Sequence, residues 1–150
     1  MPSRARVVAF CLALSAAPAT APPPATASDT ATSLIERLNA QRKRAGKAPL
    51  RQSRSLSASA SRFSKRQMRM GRFGHEARIR ASGRFRHLGE ILAIQQGWQL
   101  RVGPIVRTWL GSATHRGLIM SSRFDCAGVG WSKGRLGGQV TTIWTVQFGG

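Results

Sequence analysis

The chain has 150 residues, of which 24 are basic and 5 are acidic, and its formal net charge is +19. A surface this basic should attract anionic partners, but no ribonucleoprotein, helix-turn-helix or zinc-finger pattern accompanies the charge. The length suits one hydrophobic core, and the two cysteines, Cys11 and Cys126, are too few for a disulfide-rich scaffold.

The amino terminus has the features of a secretory signal peptide. Arg4 and Arg6 precede an apolar run over residues 7–17, and small residues and three prolines follow the run. Because the run is too short to span a bilayer, cleavage explains it better than a membrane anchor does. The sequence therefore predicts export, to the periplasm or outside the cell, without a transmembrane anchor.

The expected cleavage site is the Ala-Thr-Ala sequence at residues 25–27, with residues 19–21 as a competing site. We therefore take residues 1–27 as the signal peptide and residues 28–150 as a single domain. Only Cys126 would survive processing, so packing must hold the domain together without an internal disulfide. We expect Cys126 to be a buried apolar filler on a strand, because such cysteines are seldom reactive.

Two helices are predicted at the start of the domain. Ser33 and Glu36 have the spacing of a capping box, and apolar residues at helical intervals lead to Gly46, so the first helix spans about residues 31–45. A second helix spans about residues 53–70. Its apolar face consists of Leu56, Ala60, Phe63 and Met70.

The next stretch has less periodic signal. Residues 76–101 are interpreted as loops around one strand at residues 88–94. A third helix follows, because apolar residues from Val102 to Leu110 keep helical spacing and Pro104 suits a first turn. This helix should bury Trp109.

The carboxyl end changes to the pattern of a β-hairpin. Residues 126–133 and 139–148 are predicted to be antiparallel strands, and the glycine-rich residues 134–138 are predicted to be the turn between them. Helices before and between strands, with an antiparallel end, predict the α+β class.

Near this end Trp109 stands three residues before Ser112 and six before His115, a Gly-Val-Gly strand follows, and the closing strand ends in Gln-Phe-Gly. This order of motifs resembles that of the CAP superfamily, the SCP-like extracellular domains, in its bacterial form. The resemblance implies an α-β-α sandwich with a C-terminal antiparallel hairpin. Four positions match its structural motif, namely Asn39, Arg42, Trp109 and Trp144.

The resemblance also implies a cleft that contains His75, Glu90 and His115. Ser112 stands where many eukaryotic members carry a second acid, and Ile91 replaces the asparagine of the family's Gly-Glu-Asn element. Two imidazoles, from His75 and His115, and one carboxylate would leave an open position on Zn²⁺, or would act as acid and base. A hydrogen-bonded structural cluster is the third interpretation, and no residue is assigned a catalytic role.

Many of the arginines lie between residues 51 and 86, with Phe63, Phe73 and Phe85 interleaved. Such a surface suits a nucleic acid, an anionic lipid head group or an acidic cell-wall polymer, because guanidinium groups match phosphate and carboxylate. A compositional bias that scatters arginine over a solvated surface is the alternative.

The combined hypothesis is a secreted or periplasmic, monomeric binding protein for a small apolar ligand or a cell-envelope component. Its cleft would contain His75, Glu90 and His115. Two other functions remain open at this stage: a polyanion-binding protein that uses the fold as a scaffold, and a metal-dependent hydrolase.

Overall fold

The protein is represented by a computed structural model that describes residues 26–83 and 85–150. The predicted signal peptide therefore lies outside the described residues, except for Thr26 and Ala27. The elements in chain order are α1 (Ala27–Arg44), β1 (Arg51–Gln52), α2 (Arg54–Met70), β2 (Leu88–Gln96), α3 (Val102–Gly111), α4 (Ala113–Ile119), β3 (Cys126–Leu136) and β4 (Gln139–Gly149). Within these described ranges, no helix is long and apolar enough to cross a bilayer.

The four strands form one mixed sheet in the order β1-β3-β4-β2. Strand β4 pairs antiparallel with both β2 and β3, whereas the short β1 pairs parallel with β3. The predicted hairpin is confirmed, but its turn is shorter than the predicted residues 134–138. Gly137 and Gly138 alone make the turn, with φ of 57° and 81°. Two consecutive positive φ angles suit the twist of a two-residue hairpin, so β3 continues to Leu136.

Alternate side chains of β4 face two helical layers. Trp144, Val146 and Phe148 belong to the main apolar core, together with side chains of α1 and α3. Thr145 faces the other way, and its Oγ1 lies 2.8 Å from the Ser64 hydroxyl of α2. The sheet is therefore covered on both faces, and the expected α-β-α sandwich of the α+β class is confirmed.

Helix α2 lies directly on the backbone of β3. A Cβ atom added at Gly128 would stand 2.0 Å from the amide nitrogen of Ser57, and one added at Gly130 would stand 2.2 Å from that of Ser61. Both distances are far below van der Waals contact. The two glycines of the Gly-Val-Gly strand thus permit a close approach between helix and sheet.

The predicted start of the first helix is wrong by about one turn. Thr26 caps α1: its Oγ1 accepts from the Asp29 amide at 3.2 Å, and its own amide donates to the Asp29 carboxylate at 2.9 Å. Ser33 and Glu36 have the same spacing but lie inside the helix. Burial of Thr30 and Ala31 extends the packed face beyond the predicted start.

The four residues of the structural motif connect elements that are distant in sequence. Asn39 of α1 exchanges two hydrogen bonds with the backbone of Leu50, at 2.9 and 2.7 Å. Trp109 is fully buried, as predicted, and its indole N–H donates to the Leu92 carbonyl at 2.8 Å. The indole of Trp144 donates to the Gln95 side chain at 3.0 Å. Arg42 is buried at the other end of α1, among backbone carbonyls.

Cys126 is buried, as expected, and its thiol donates to the Gly149 carbonyl at 3.2 Å. Burial and a hydrogen bond with Asp125 raise the thiol pKa to about 11. Because the thiolate is the reactive form, we expect Ellman's reagent to leave the folded protein unmodified at mildly alkaline pH and to label it after denaturation. Rapid labelling of folded protein would contradict the burial of this residue.

Candidate functional site

The centre of the site is the carboxylate of Glu90, near the start of β2. Its Oε1 lies 3.1 Å from His75 Nδ1 and accepts from the Glu76 amide at 3.0 Å, and its Oε2 accepts from Gln147 Nε2 at 3.0 Å. Its side chain is only 5% exposed. A buried carboxylate needs such partners, since an uncompensated charge in the interior is costly.

A second carboxylate, Glu76, lies beside the first. The same Gln147 amide nitrogen stands 3.3 Å from Glu76 Oε2, while Glu76 Oε1 pairs with the guanidinium of Arg66. The Glu76 side chain is 6% exposed. One amide thus connects two buried carboxylates, and Arg66 offsets the charge of one of them.

Neither residue spacing nor the family resemblance predicts this pair. The resemblance does not place Glu76 in the cleft, and Gln147 enters only as part of the closing strand. The sequence contains one signal for Gln147. It lies between Val146 and Phe148, so its polar side chain is on the opposite face of a strand that is buried on both faces, where a polar group needs a hydrogen-bond partner.

His115 reaches the site from α4, a helix that the sequence analysis did not predict. Ser112 caps this helix, because its Oγ accepts from the His115 amide at 3.5 Å. The family resemblance predicts Ser112 in the cleft, in the place of an acid. In the structure its hydroxyl forms a capping hydrogen bond at the start of α4. His115 Nδ1 is buried and has no hydrogen-bond partner among the described residues.

The structure brings His75, Glu90 and His115 into one region, from the loop after α2, from β2 and from α4. Burial lowers the pKa of the His115 imidazole, and the nearby His75 lowers it further. His75 itself is 62% exposed. The region therefore has a buried floor and one imidazole open to solvent.

Over residues 26–83 and 85–150, no three side chains of His, Cys, Asp or Glu are grouped closely enough to hold a metal ion. Glu90 contacts His75 Nδ1, which is the position of an orienting partner rather than of a third ligand. The described residues thus lack the three protein ligands of a catalytic zinc site. A Zn²⁺ ion held by His75 and His115 stays a prediction.

A cleft of about 310 Å³ opens beside the carboxylates. Its lining is Phe63, Arg66, His75, Glu76, Ala77, Arg78 and Arg80. Three of these seven side chains are guanidinium groups, so the cleft favours a ligand with a negative charge. A separate cavity of about 390 Å³ lies between the start of α1, α2 and β3, where Ala27, Ala31, Val129 and Trp131 provide apolar surface.

His115 should titrate below the ordinary histidine value of about 6.5. As the pH falls below that value, the unfolded chain takes up a proton that the folded chain resists, so folding stability decreases toward the lowered pKa. Above that value His115 adds no pH dependence to the free energy of unfolding. NMR titration of the imidazole ring should show a higher His115 pKa in His75→Gln, because a charge is removed. An unchanged pKa would show that burial alone lowers it.

Comparison with known protein families agrees with this fold. The family model of the cysteine-rich secretory protein family, CAP, matches residues 35–148. No curated protein sequence matches the chain.

Solved structures with the same fold come from bacteria and helminths. An outer surface protein from Borrelia burgdorferi is 20% identical, with a TM-score of 0.61 over 79% of this chain and 90% of that one. An extracellular protein with an SCP domain from Bacillus anthracis is 19% identical, with a TM-score of 0.64 over 85% of this chain and 45% of that one. A venom allergen-like protein from Schistosoma mansoni is 13% identical, with a TM-score of 0.60 over 81% of this chain and 88% of that one.

Proposed function

The chain belongs to the CAP family of cysteine-rich secretory proteins, and from that premise we propose that it is an exported binding protein of the cell envelope. Its ligand is an envelope component that carries phosphate or carboxylate groups. The binding site is the cleft lined by His75, beside Glu90, and His115 lies near His75. The extracellular and outer-surface descriptions of two similar structures support this location.

The composition of the cleft carries this proposal. The guanidinium groups of Arg66, Arg78 and Arg80 line one cavity with the exposed imidazole of His75. Arg66 is paired with Glu76, whereas neither Arg78 nor Arg80 forms a side-chain ion pair in the described part of the chain. The cleft thus offers two guanidinium groups whose charge is not offset, and anionic groups are their natural partners.

The test compares two pairs of arginine substitutions with equal loss of charge. Arg78→Gln with Arg80→Gln changes the cleft, and Arg107→Gln with Arg135→Gln changes exposed arginines on α3 and β3 that do not line it. The probe is fluorescent poly(glycerol phosphate), with neutral dextran as the blank. The cleft pair should weaken binding about tenfold or more, and the control pair about twofold, since each lost charge-assisted hydrogen bond is worth roughly 1.5 kcal/mol.

Equal losses of affinity in the two pairs of arginine variants, together with a steep dependence of that affinity on salt, would contradict the proposal. They would favour the alternative of a polyanion-binding protein that uses the fold only as a scaffold. Binding that neither pair alters would exclude both interpretations.

A small apolar ligand is a second candidate, and the cavity of about 390 Å³ favours it. Ala31, Val129 and Trp131, which remain after the expected cleavage, give that cavity a mainly apolar wall, at a size that fits a fatty-acyl segment. Incubation with a lipid extract should deplete an acyl-bearing component, and Ala31→Trp, which would fill the cavity, should prevent this. No depletion by the parent protein would remove this candidate.

Export can be tested by sequencing the amino terminus of the secreted protein. Cleavage after Ala27 would produce Ser28 as the first residue and would remove Thr26, the cap of α1. Cleavage at the competing site after Ala21 would retain that cap. A terminus at Met1 in protein recovered only from the cytoplasm would contradict export.

A further inference from the structure

The end of α2 carries exposed apolar side chains within the most basic part of the chain. Met70 is the last residue of α2 and is 56% exposed, and Phe73 in the following turn is 44% exposed. Large apolar side chains next to each other on a surface indicate an interaction site when they are set among charged groups.

The surrounding charge is almost entirely of one sign. Residues 62–80 contain seven basic side chains and a single acidic one, Glu76, which is buried and paired with Arg66. Arg62, Lys65, Arg69 and Arg72 are exposed and form no side-chain ion pair within the described ranges. Met70 and Phe73 therefore lie among cations whose charge is not offset.

A shallow groove of about 200 Å³ runs between the two apolar side chains. Gln67 lines it and is 5% exposed, and its Oε1 accepts from the Gly74 amide at 2.8 Å. Its Nε2 is buried without a hydrogen-bond partner in the part of the chain that the structure describes. The groove thus offers a buried amide donor beside apolar surface and arginine, which suits the phosphate and glycerol region of a lipid.

We propose that this surface, consisting of Met70, Phe73, Gln67 and the arginines around them, docks the protein on a membrane rich in anionic phospholipid. Met70 and Phe73 enter the boundary between head groups and acyl chains, while Arg69 and Arg72 contact the lipid phosphates. A membrane is favoured over nucleic acid because both exposed apolar side chains can enter an apolar layer, whereas only Phe73 has a ring on which a base would stack.

The surface adjoins the cleft at Phe63, Arg66 and His75, which line both. A protein docked in this way would hold its cleft close to the membrane. The inference does not depend on the proposed ligand of that cleft, because the docking surface uses apolar side chains that the cleft lacks.

The test is co-sedimentation with vesicles of phosphatidylcholine alone or mixed in equal parts with phosphatidylglycerol. The parent should bind only the mixed vesicles, and Met70→Ser with Phe73→Ser should weaken that binding about tenfold or more, since apolar insertion is lost. The matched control is Ile94→Ser with Trp98→Ser, which changes apolar side chains that are 44% and 53% exposed elsewhere. It should leave binding unchanged.

A second readout reports insertion directly. Phe73→Trp should show a blue shift and increased fluorescence, relative to the parent, when mixed vesicles are added. Equal effects of the two serine pairs on vesicle binding would overturn the inference. So would DNA binding that the Met70→Ser and Phe73→Ser pair retains to the same fraction as vesicle binding.

The two proposals can fail separately. The serine pair at Met70 and Phe73 should keep its affinity for soluble poly(glycerol phosphate), because the cleft arginines are intact. The pair Arg78→Gln and Arg80→Gln should keep most of its vesicle binding. Loss of both activities in both pairs would show that one continuous surface binds both partners and would overturn the separate docking site.

Discussion

Gly128→Ala should destabilise the protein by about 3 kcal/mol or more, a large part of the roughly 5–15 kcal/mol by which a domain is stable. The added methyl group would stand 2.0 Å from the Ser57 amide nitrogen and 2.3 Å from the Leu56 carbonyl carbon. These are backbone atoms of α2, so no side-chain rotation can relieve the contact. The whole helix would have to move away from the sheet.

Thermal and urea unfolding would measure this effect. The matched control is Gly117→Ala in α4, where an added Cβ would have no atom within 4 Å. Alanine in a helix is favoured over glycine by about 0.5–1 kcal/mol, so the control should be as stable as the parent or slightly more stable. Parent-like stability of Gly128→Ala would mean that α2 does not approach β3 as closely as the structure shows.

Arg42→Met should produce the second large loss, about 3–5 kcal/mol. Arg42 is 1% exposed and forms no ion pair with a carboxylate of residues 26–83 or 85–150. Its guanidinium donates to four backbone carbonyls, those of Ala48 at 2.7 Å, Ile119 at 2.6 Å, Ser121 at 3.0 Å and Phe124 at 3.4 Å. Methionine would retain much of the volume and leave these carbonyls without a donor.

Arg42→Lys separates charge from geometry. Burial lowers the pKa of the Arg42 guanidinium, so the site imposes a cost on any cation placed there. Lysine keeps a charge but lacks the planar fork, and it cannot reach all four carbonyls from one position. Urea unfolding should therefore show that Arg42→Lys is less stable than the parent. Parent-like stability of both variants would show that water satisfies the carbonyls.

These two positions explain how the site is held in place. Arg42 ties the end of α1 to residues 119–124, which lie between α4 and β3. His115 is on α4, so its position depends on this contact. Gly128 and Gly130 hold α2 against the sheet, and the loop after α2 carries His75 and Glu76. The cleft is thus assembled by packing on both faces of the sheet.

Local pattern determined much of the fold. The periodicity of α2 and α3, the alternation of β4, and the glycines of the final turn predicted these elements within a few residues, because each depends on neighbours in sequence. Helix α4 was missed because its seven residues include Gly117 and bury only Ile119, which is too little for a periodic signal. The first cap was misplaced because Thr26 and Ser33 both satisfy the same spacing rule.

The family motif, the basic charge and the candidate residues His75, Glu90 and His115 can all be read from the amino-acid sequence. Which polar groups meet depends on the packing of the folded chain. Glu90 stands opposite Gln147 because β2 and β4 pair in one particular register, and Glu76 joins them across 71 positions of sequence. Register and layer packing arise from the burial of many side chains together, so no local spacing could predict that one amide connects two carboxylates.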